Sequence, residues 1–133
     1  MGRELTVGIL DDCTFAVGEI APHSTEVFDY ESKYQEDKAR EIFPAKLDAD
    51  QTRAAQLFGL KAHYALKLQD YSRIDFRMNP DSTIRCLEAN PLPGLTANSL
   101  LPQSAATVEI AFPPLCETLC QLAVRRHSNR THQ

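Results

Sequence analysis

Two runs of alternating apolar and polar residues, 71–78 and 83–89, flank the tetrapeptide Asn79-Pro80-Asp81-Ser82. This pattern constrains the fold more than any other part of the chain. Alternation with a period of two places successive side chains on opposite faces of a strand. Asn, Pro, Asp and Ser favour turns, because Pro presets φ and the short polar side chains bond to nearby backbone. The segment is therefore predicted to be a β-hairpin. With the strands paired symmetrically and Asn79 opposite Ile84, Asp75 falls opposite Glu88 and Arg73 opposite Asn90. Directly opposite residues share a sheet face, with Cβ atoms about 4.5–5.5 Å apart. One face at the open end of the hairpin then carries Arg73, Asp75, Glu88 and Asn90.

Facing carboxylates repel one another and destabilise a sheet. A divalent cation between Asp75 and Glu88 removes that repulsion, and Asn90 adds an amide oxygen. Three hard oxygen donors on an open rim suit Mg²⁺, which keeps several waters and is completed by substrate phosphates. Mn²⁺ accepts the same donors. Arg73, beside them, is placed to meet a phosphate or a developing oxyanion. On spacing alone, a solvated face with Arg73 and Asp75 paired to neighbours accounts for these residues equally well. A slip of one residue in register would scatter them.

The remainder reads as an α+β chain. Residues 4–9 alternate as a strand, Asp11-Asp12 marks a turn and residues 14–20 return, giving an opening hairpin. Residues 25–30 form another short strand; 31–47 show no clear period, and Pro44 argues against helix at its own position. The clearest helix is predicted over 49–68, with Leu57, Leu60, Tyr64 and Leu68 along one face and Gly59 as a minor cost. Asp48 and Gln51 are spaced as a capping box at its start. Asn90-Pro91-Leu92-Pro93-Gly94 must be loop, a short helix starts near Asn98-Ser99, and 114–125 form a last helix with Leu115, Leu119 and Leu122 on one side. This order predicts a mainly antiparallel sheet with packed helices, forming one domain over 1–124 and followed by a frayed polar tail over 125–133.

Composition narrows the function classes. The 133 residues suffice to bury a core, and 43% hydrophobic with 24% charged residues is ordinary for a globular chain. The net charge is −4, and the basic cluster Arg125, Arg126, His127 and Arg130 sits in the tail, so no nucleic-acid partner is expected. No apolar run approaches the ~20 residues of a bilayer span, and the first residues lack the apolar core of a signal peptide. None of the four cysteines forms a C-x-x-C pair; Cys116 and Cys120, one helical turn apart, read as small core hydrophobes, in keeping with a reducing cytoplasm. His23, His63, His127 and His132 are scattered, with His63 at the edge of the long helix.

Tyr71-Ser72-Arg73-Ile74-Asp75-Phe76, a short turn, and Leu87-Glu88-Ala89-Asn90-Pro91-Leu92-Pro93-Gly94-Leu95-Thr96 form a recognisable succession. It resembles the closing segment of D-alanine–D-alanine ligases, where an Arg-x-Asp strand precedes Glu-x-Asn-x-x-Pro-Gly-x-Thr and a Ser-Leu pair. The resemblance implies the C-terminal subdomain of an ATP-grasp enzyme. It implies magnesium on Asp75, Glu88 and Asn90, and oxyanion stabilisation by Arg73 and the Gly94 N–H. Ser99 and Leu100 would hold the carboxylate of the second amino acid. Upstream, Gly2-Arg3-Glu4-Leu5-Thr6-Val7 is similar to the family strand whose glutamate binds the ATP ribose, which gives that role to Glu4. Phe28-Asp29-Tyr30-Glu31-Ser32-Lys33-Tyr34 is similar to a Tyr-Asp-Tyr-x-x-Lys-Tyr segment, which implies phosphate and carboxylate contacts for Lys33 and site closure for Tyr34. Leu87 is either an adenine-side hydrophobe, as the resemblance implies, or simply core. The likeness runs from Gly2 to Leu122 and includes Phe43-Pro44-Ala45 before the helix.

The activity implied is ATP-dependent joining of two amino acids, D-alanine foremost, through an acyl phosphate, a cytoplasmic step in building the bacterial wall precursor. Pro91 stands where the family usually has Thr or Ser, and Leu68-Gln69-Asp70 replaces glycines common before the Arg-x-Asp strand. These departures keep open a related ATP-grasp ligase with another amine or hydroxy-acid acceptor. The family's N-terminal and central domains, with the first amino-acid site, two phosphate-binding lysines and a Gly/Ser-rich lid, have no counterpart in the sequence. The chain is therefore expected to be inactive alone, either as a non-catalytic fragment or as half of a split ligase needing a partner chain. An apolar wall including Leu87 and Leu92 would then be open, and self-association is expected.

Overall fold

A computed structural model describes residues 2–22 and 39–131. The strand expected over 25–30, together with Glu31, Lys33 and Tyr34, lies outside the described residues. Strand β1 (Arg3–Leu10) is the centre of a six-stranded sheet. The order is β4 (Arg40–Ile42), β3 (Gly18–Ala21), β1, β5 (Tyr71–Met78) and β6 (Ile84–Asn90), with the two-residue β2 (Cys13–Thr14) also paired to β1. Every pairing is antiparallel. The opening hairpin is as expected, except that its return is split into β2 and β3. Asp11 makes the turn with φ 54, a left-handed conformation that Asp tolerates.

Alternation along β1 and β5 sorts the sheet into two faces. Leu5, Val7, Ile9, Ile74, Phe76 and Met78 are buried on one face, beneath helix α1 (Ala49–Ala65). Glu4, Thr6 and Gly8 lie on the other, opposite Arg77, Asp75 and Arg73 respectively. The predicted capping box starts α1: Asp48 Oδ1 accepts the Gln51 N–H at 2.8 Å, and Gln51 Oε1 accepts the Asp48 N–H at 3.2 Å. The helix ends at Ala65 rather than 68, and its buried face is only partly the predicted one. Ala55, Gly59 and His63 face the sheet, while Leu57 and Tyr64 are half exposed and Leu60 and Leu68 are only partly buried. Small residues win because the helix lies close to β1: a Cβ on Gly59 would sit 3.1 Å from Val7 Cγ1. Gly59 is thus a contact point rather than a cost. His63, expected at the helix edge, is buried and shares a 2.8 Å hydrogen bond with the Ser72 hydroxyl.

A second core lies on the opposite face of the sheet, at the Leu10 end of β1. Leu10 and Phe15 pack there with Leu101 and Ala105 of α2 (Leu100–Ala106) and with Leu115, Leu119 and Leu122 of α3 (Phe112–Thr131). The stripe predicted on the last helix is therefore the buried one. Cys116 and Cys120 fall one position beyond it, so Cys116 is half-buried and Cys120 exposed, not core as expected. The proposed boundary at 124 also falls inside α3. The helix continues through Thr131, and Arg126 pairs with Asp70 at 2.5 Å, so 125–131 form the last turns of α3.

Candidate functional site

β5 and β6 pair Arg73 with Asn90 and Asp75 with Glu88, as the symmetric hairpin predicts. They arrive there by another route. At the turn, Met78 rather than Asn79 faces Ile84, and a bulge beside Asp75 then leaves Leu87 without a partner. The turn is one residue tighter than assumed: the Ser82 N–H donates to the Asn79 carbonyl at 2.9 Å, Ser82 adopts φ 65, and the Asn79 N–H donates to the Thr83 carbonyl at 2.9 Å. A tight turn closed by one left-handed residue is a common three-residue hairpin loop. The offset at the turn and the extra residue at the bulge cancel, so the open end has the predicted register. Leu87 is half exposed and outside the core, which removes its alternative as a core residue.

The open end gathers charge. Asp75 is buried beside Thr6, whose hydroxyl donates to Asp75 Oδ1 at 2.7 Å. Arg73 donates from Nε to Oδ1 at 3.1 Å and from Nη2 to Oδ2 at 2.8 Å. The same Nη2 lies 3.5 Å from Glu88 Oε1. Two carboxylates thus converge on one cationic group, as opposite positions on one face require. Hydrogen bonding to Asp75 raises the Arg73 pKa above its ordinary value; burial opposes this, and Asp75, Glu88 and Glu41 add attraction. Asn90 Oδ1 accepts the Leu92 N–H at 3.0 Å, which folds the following loop back over the strand end.

The other predicted residues occupy three places. Glu4 shares the face of Thr6 and pairs with Arg77 at 3.5 Å. Gly94 and Ser99 come together: a Cβ on Gly94 would lie 3.0 Å from Ser99 Oγ. Ser99 caps α2 without a side-chain bond to it and uses its hydroxyl on Thr96, at 3.1 Å from the N–H and 2.8 Å from the hydroxyl. Leu100 begins α2 and is half-buried. Lys33 and Tyr34 fall outside the described residues. Thr6 and Glu41 were not singled out by sequence. The signal for Thr6 was present, as a hydroxyl within the apolar run Leu5–Leu10.

Among the described residues, no group of three His, Cys, Asp or Glu side chains could hold a metal ion. Asp75, Glu88 and Asn90 offer two carboxylates and one amide, all hard oxygens at an open rim. That set fits an ion that leaves positions for water and phosphate, as Mg²⁺ does, and does not fit zinc, which prefers nitrogen and sulfur. No helix among the described residues is long and apolar enough to cross a membrane.

The chain is similar to known proteins in sequence and fold. The family model described as "D-ala D-ala ligase C-terminus" matches residues 1–121. The D-alanine–D-alanine ligase of Desulfovibrio desulfuricans is 44% identical over 123 residues, covering 92% of this chain and 40% of that protein. That of Oleidesulfovibrio alaskensis is 42% identical over 129 residues, covering 97% and 42%. The crystal structure of the Bacillus anthracis D-alanine–D-alanine ligase complexed with ATP matches with a TM-score of 0.83 at 27% identity, over 98% of this chain and 40% of that one. The chain spans about two-fifths of the length of the curated relatives it matches.

Proposed function

The chain belongs to the D-alanine–D-alanine ligase C-terminal family, and from that premise we propose that it forms one wall of an ATP-dependent ligase site that joins two amino acids. The observation that carries this reading is the convergence of Asp75 and Glu88 on the Arg73 guanidinium. In this reading Asp75, Glu88 and Asn90 hold Mg²⁺, or Mn²⁺ in its place. An ion held there would supply positive charge against the phosphate oxygens. Arg73 presents a planar fork of donors to the oxyanion that develops when the second amine attacks the acyl phosphate. The Gly94 N–H adds a second donor. Ser99 and Leu100 receive the carboxylate of the second amino acid, and their closeness to Gly94 keeps the acceptor near the oxyanion donors. Glu4 takes the ATP ribose, exchanging its contact with Arg77 for the sugar hydroxyls. Leu87, left unpaired by the bulge, offers an apolar contact to adenine. Lys33 and Tyr34 contribute phosphate and carboxylate contacts and close the site.

D-alanine is the proposed substrate at both positions, as named for the relatives. The remaining walls come from the other domains of a complete ligase or from a partner chain, and the setting is a cytoplasmic step in wall-precursor synthesis. The test is phosphate release from ATP with Mg²⁺ and D-alanine. A complete ligase containing this segment should turn over, and the 133-residue chain alone should not. Glu88→Gln in the complete ligase should abolish release. Wild-type release by that variant would remove Glu88 from the metal site.

A further inference from the structure

We infer that Thr6 is a positioning residue of the metal site, its hydroxyl holding the plane of the Asp75 carboxylate. The inference rests on the metal reading of Asp75 and Glu88 given above. It starts from register, since Thr6 on β1 is directly opposite Asp75 on β5. Its hydroxyl has one proton to donate, and Asp75 Oδ1 receives it at 2.7 Å. Oδ2 is left to the other side, where Arg73 Nη2 meets it at 2.8 Å and reaches Glu88 Oε1 at 3.5 Å. The carboxylate is therefore held from two sides, by Thr6 at Oδ1 from β1 and by the Arg73 fork at both oxygens, with Nε reaching Oδ1 at 3.1 Å.

Without such a contact, the carboxylate torsion is broad and roughly two-fold. Thr6 supplies a stiff anchor, because a β-branched side chain is restricted at χ1. Water does not compete: Thr6 is 1% exposed, and on its far side Gly18 is covered by the Phe43 ring, which a Cβ there would overlap. Packing asks for nothing polar at this position. Thr6 is buried on the face it shares with Gly8, and valine, which has nearly the shape of threonine, would fill the same space. The hydroxyl is explained by the carboxylate it orients.

The experiment uses a complete ligase containing this chain and reads Mn²⁺ binding, as loss of the free-ion electron paramagnetic resonance signal. An ATP analogue with a non-hydrolysable β–γ link is present throughout. Groups that hydrogen-bond a metal ligand typically change affinity by about 10–100-fold when removed, and Thr6→Val should weaken Mn²⁺ binding by that factor. Thr6→Ser keeps the donor and should bind close to wild type. Should Thr6→Val fail to fold, judged by thermal melting, Thr6→Ala reads the same loss. Wild-type Mn²⁺ affinity in folded Thr6→Val or Thr6→Ala overturns the inference, as does a Thr6→Ser variant as weak as Thr6→Val. Asp75→Asn separates the two readings. If it too binds Mn²⁺ normally, the metal assignment fails; if it alone loses Mn²⁺, the assignment stands and the role of Thr6 falls.

Discussion

Gly8 is the point at which a small change in the sheet should be felt in the acceptor loop. It sits on the site face of β1, opposite Arg73. A Cβ there would lie 2.7 Å from Leu101 Cδ1 and 3.0 Å from Phe15 Cδ2. Leu101 and Phe15 are 1% and 2% exposed, so neither has open space to retreat into. Overpacking a core costs about 1–3 kcal/mol. Alanine recovers about 0.5–1 kcal/mol relative to glycine in a strand. Gly8→Ala should therefore destabilise by about 1 kcal/mol, and Gly8→Val, with little further conformational gain and two more methyl groups, by about 3 kcal/mol. Urea m-values for small domains are about 1–3 kcal/mol per molar, so the midpoint should fall by roughly 0.5 M for alanine and by more than 1 M for valine. The displaced Leu101 is the second residue of α2, directly after Ser99 and Leu100. In a complete ligase, the KM for the acceptor amino acid should rise more than the KM for ATP. Wild-type urea midpoints for both variants would show that α2 is not held against Gly8, and the reasoning would fail.

Three further outcomes follow from the same geometry. Burial lowers the His63 pKa below 6.5, with Asp12 opposing, so the folded state disfavours the imidazolium. The associated stability is fully present above about pH 6.5 and is lost as pH falls through the folded value; urea midpoints of wild type and His63→Gln should diverge across that window, and parallel curves would contradict it. Arg73→Lys in a complete ligase should lower kcat by about 10²–10³ with little change in the KM for ATP, because lysine cannot present a planar fork to the oxyanion; near-normal kcat in steady-state assays would remove Arg73 from that role. The isolated chain should bind Mg·ATP weakly by calorimetry and self-associate in light scattering, since Leu87 and Leu92 are 51% and 76% exposed and a one-sided wall cannot bury the roughly 70–90% of a ligand that small-molecule sites cover; tight binding by a clean monomer would count against both expectations.

The long helix shows where sequence periodicity falls short. Its existence and its start were legible, because Asp48 and Gln51 form a capping box whatever lies nearby. Its buried face was not. Counting large apolar residues chooses Leu57, Leu60, Tyr64 and Leu68, of which Leu60 and Leu68 pack partly against the core, while the residues fully buried against the sheet are Ala55, Gly59 and His63. A helix lying close to a strand selects for small volume, and Gly59 against Val7 marks that contact. Hydrophobicity alone does not carry the distance between elements. His63 is tolerated inside because Ser72 supplies its partner, and that residue belongs to a strand nine positions away. The last helix was read correctly along Leu115, Leu119 and Leu122 because its neighbours are large and apolar themselves. The last turns of that helix carry no apolar stripe, and the partner of Arg126, Asp70, is remote in sequence, so nothing local marks them as helical.

The hairpin presents the opposite case, in which a correct site came from an incomplete argument. Pairing Asn79 with Ile84 was wrong by one residue, and the error vanished only because β6 gains one residue at Leu87. The irregularity belongs wholly to β6, since β5 pairs with β1 without interruption from Arg3↔Met78 to Leu10↔Tyr71. Asp75 is therefore held by a regular central strand, and Glu88 is brought to it by an edge strand that can absorb an extra residue. That residue did leave a trace in the sequence. Ile84 and Ala89 both pack against the core under α1, yet they are separated by an odd number of positions. Strict alternation would put them on opposite faces. An odd spacing between two core-facing residues of one strand requires an inserted residue between them, and only an insertion on the turn side of Glu88 keeps Glu88 opposite Asp75. The parity of the apolar positions, rather than the symmetry of the turn, is what fixes the register of the carboxylate pair.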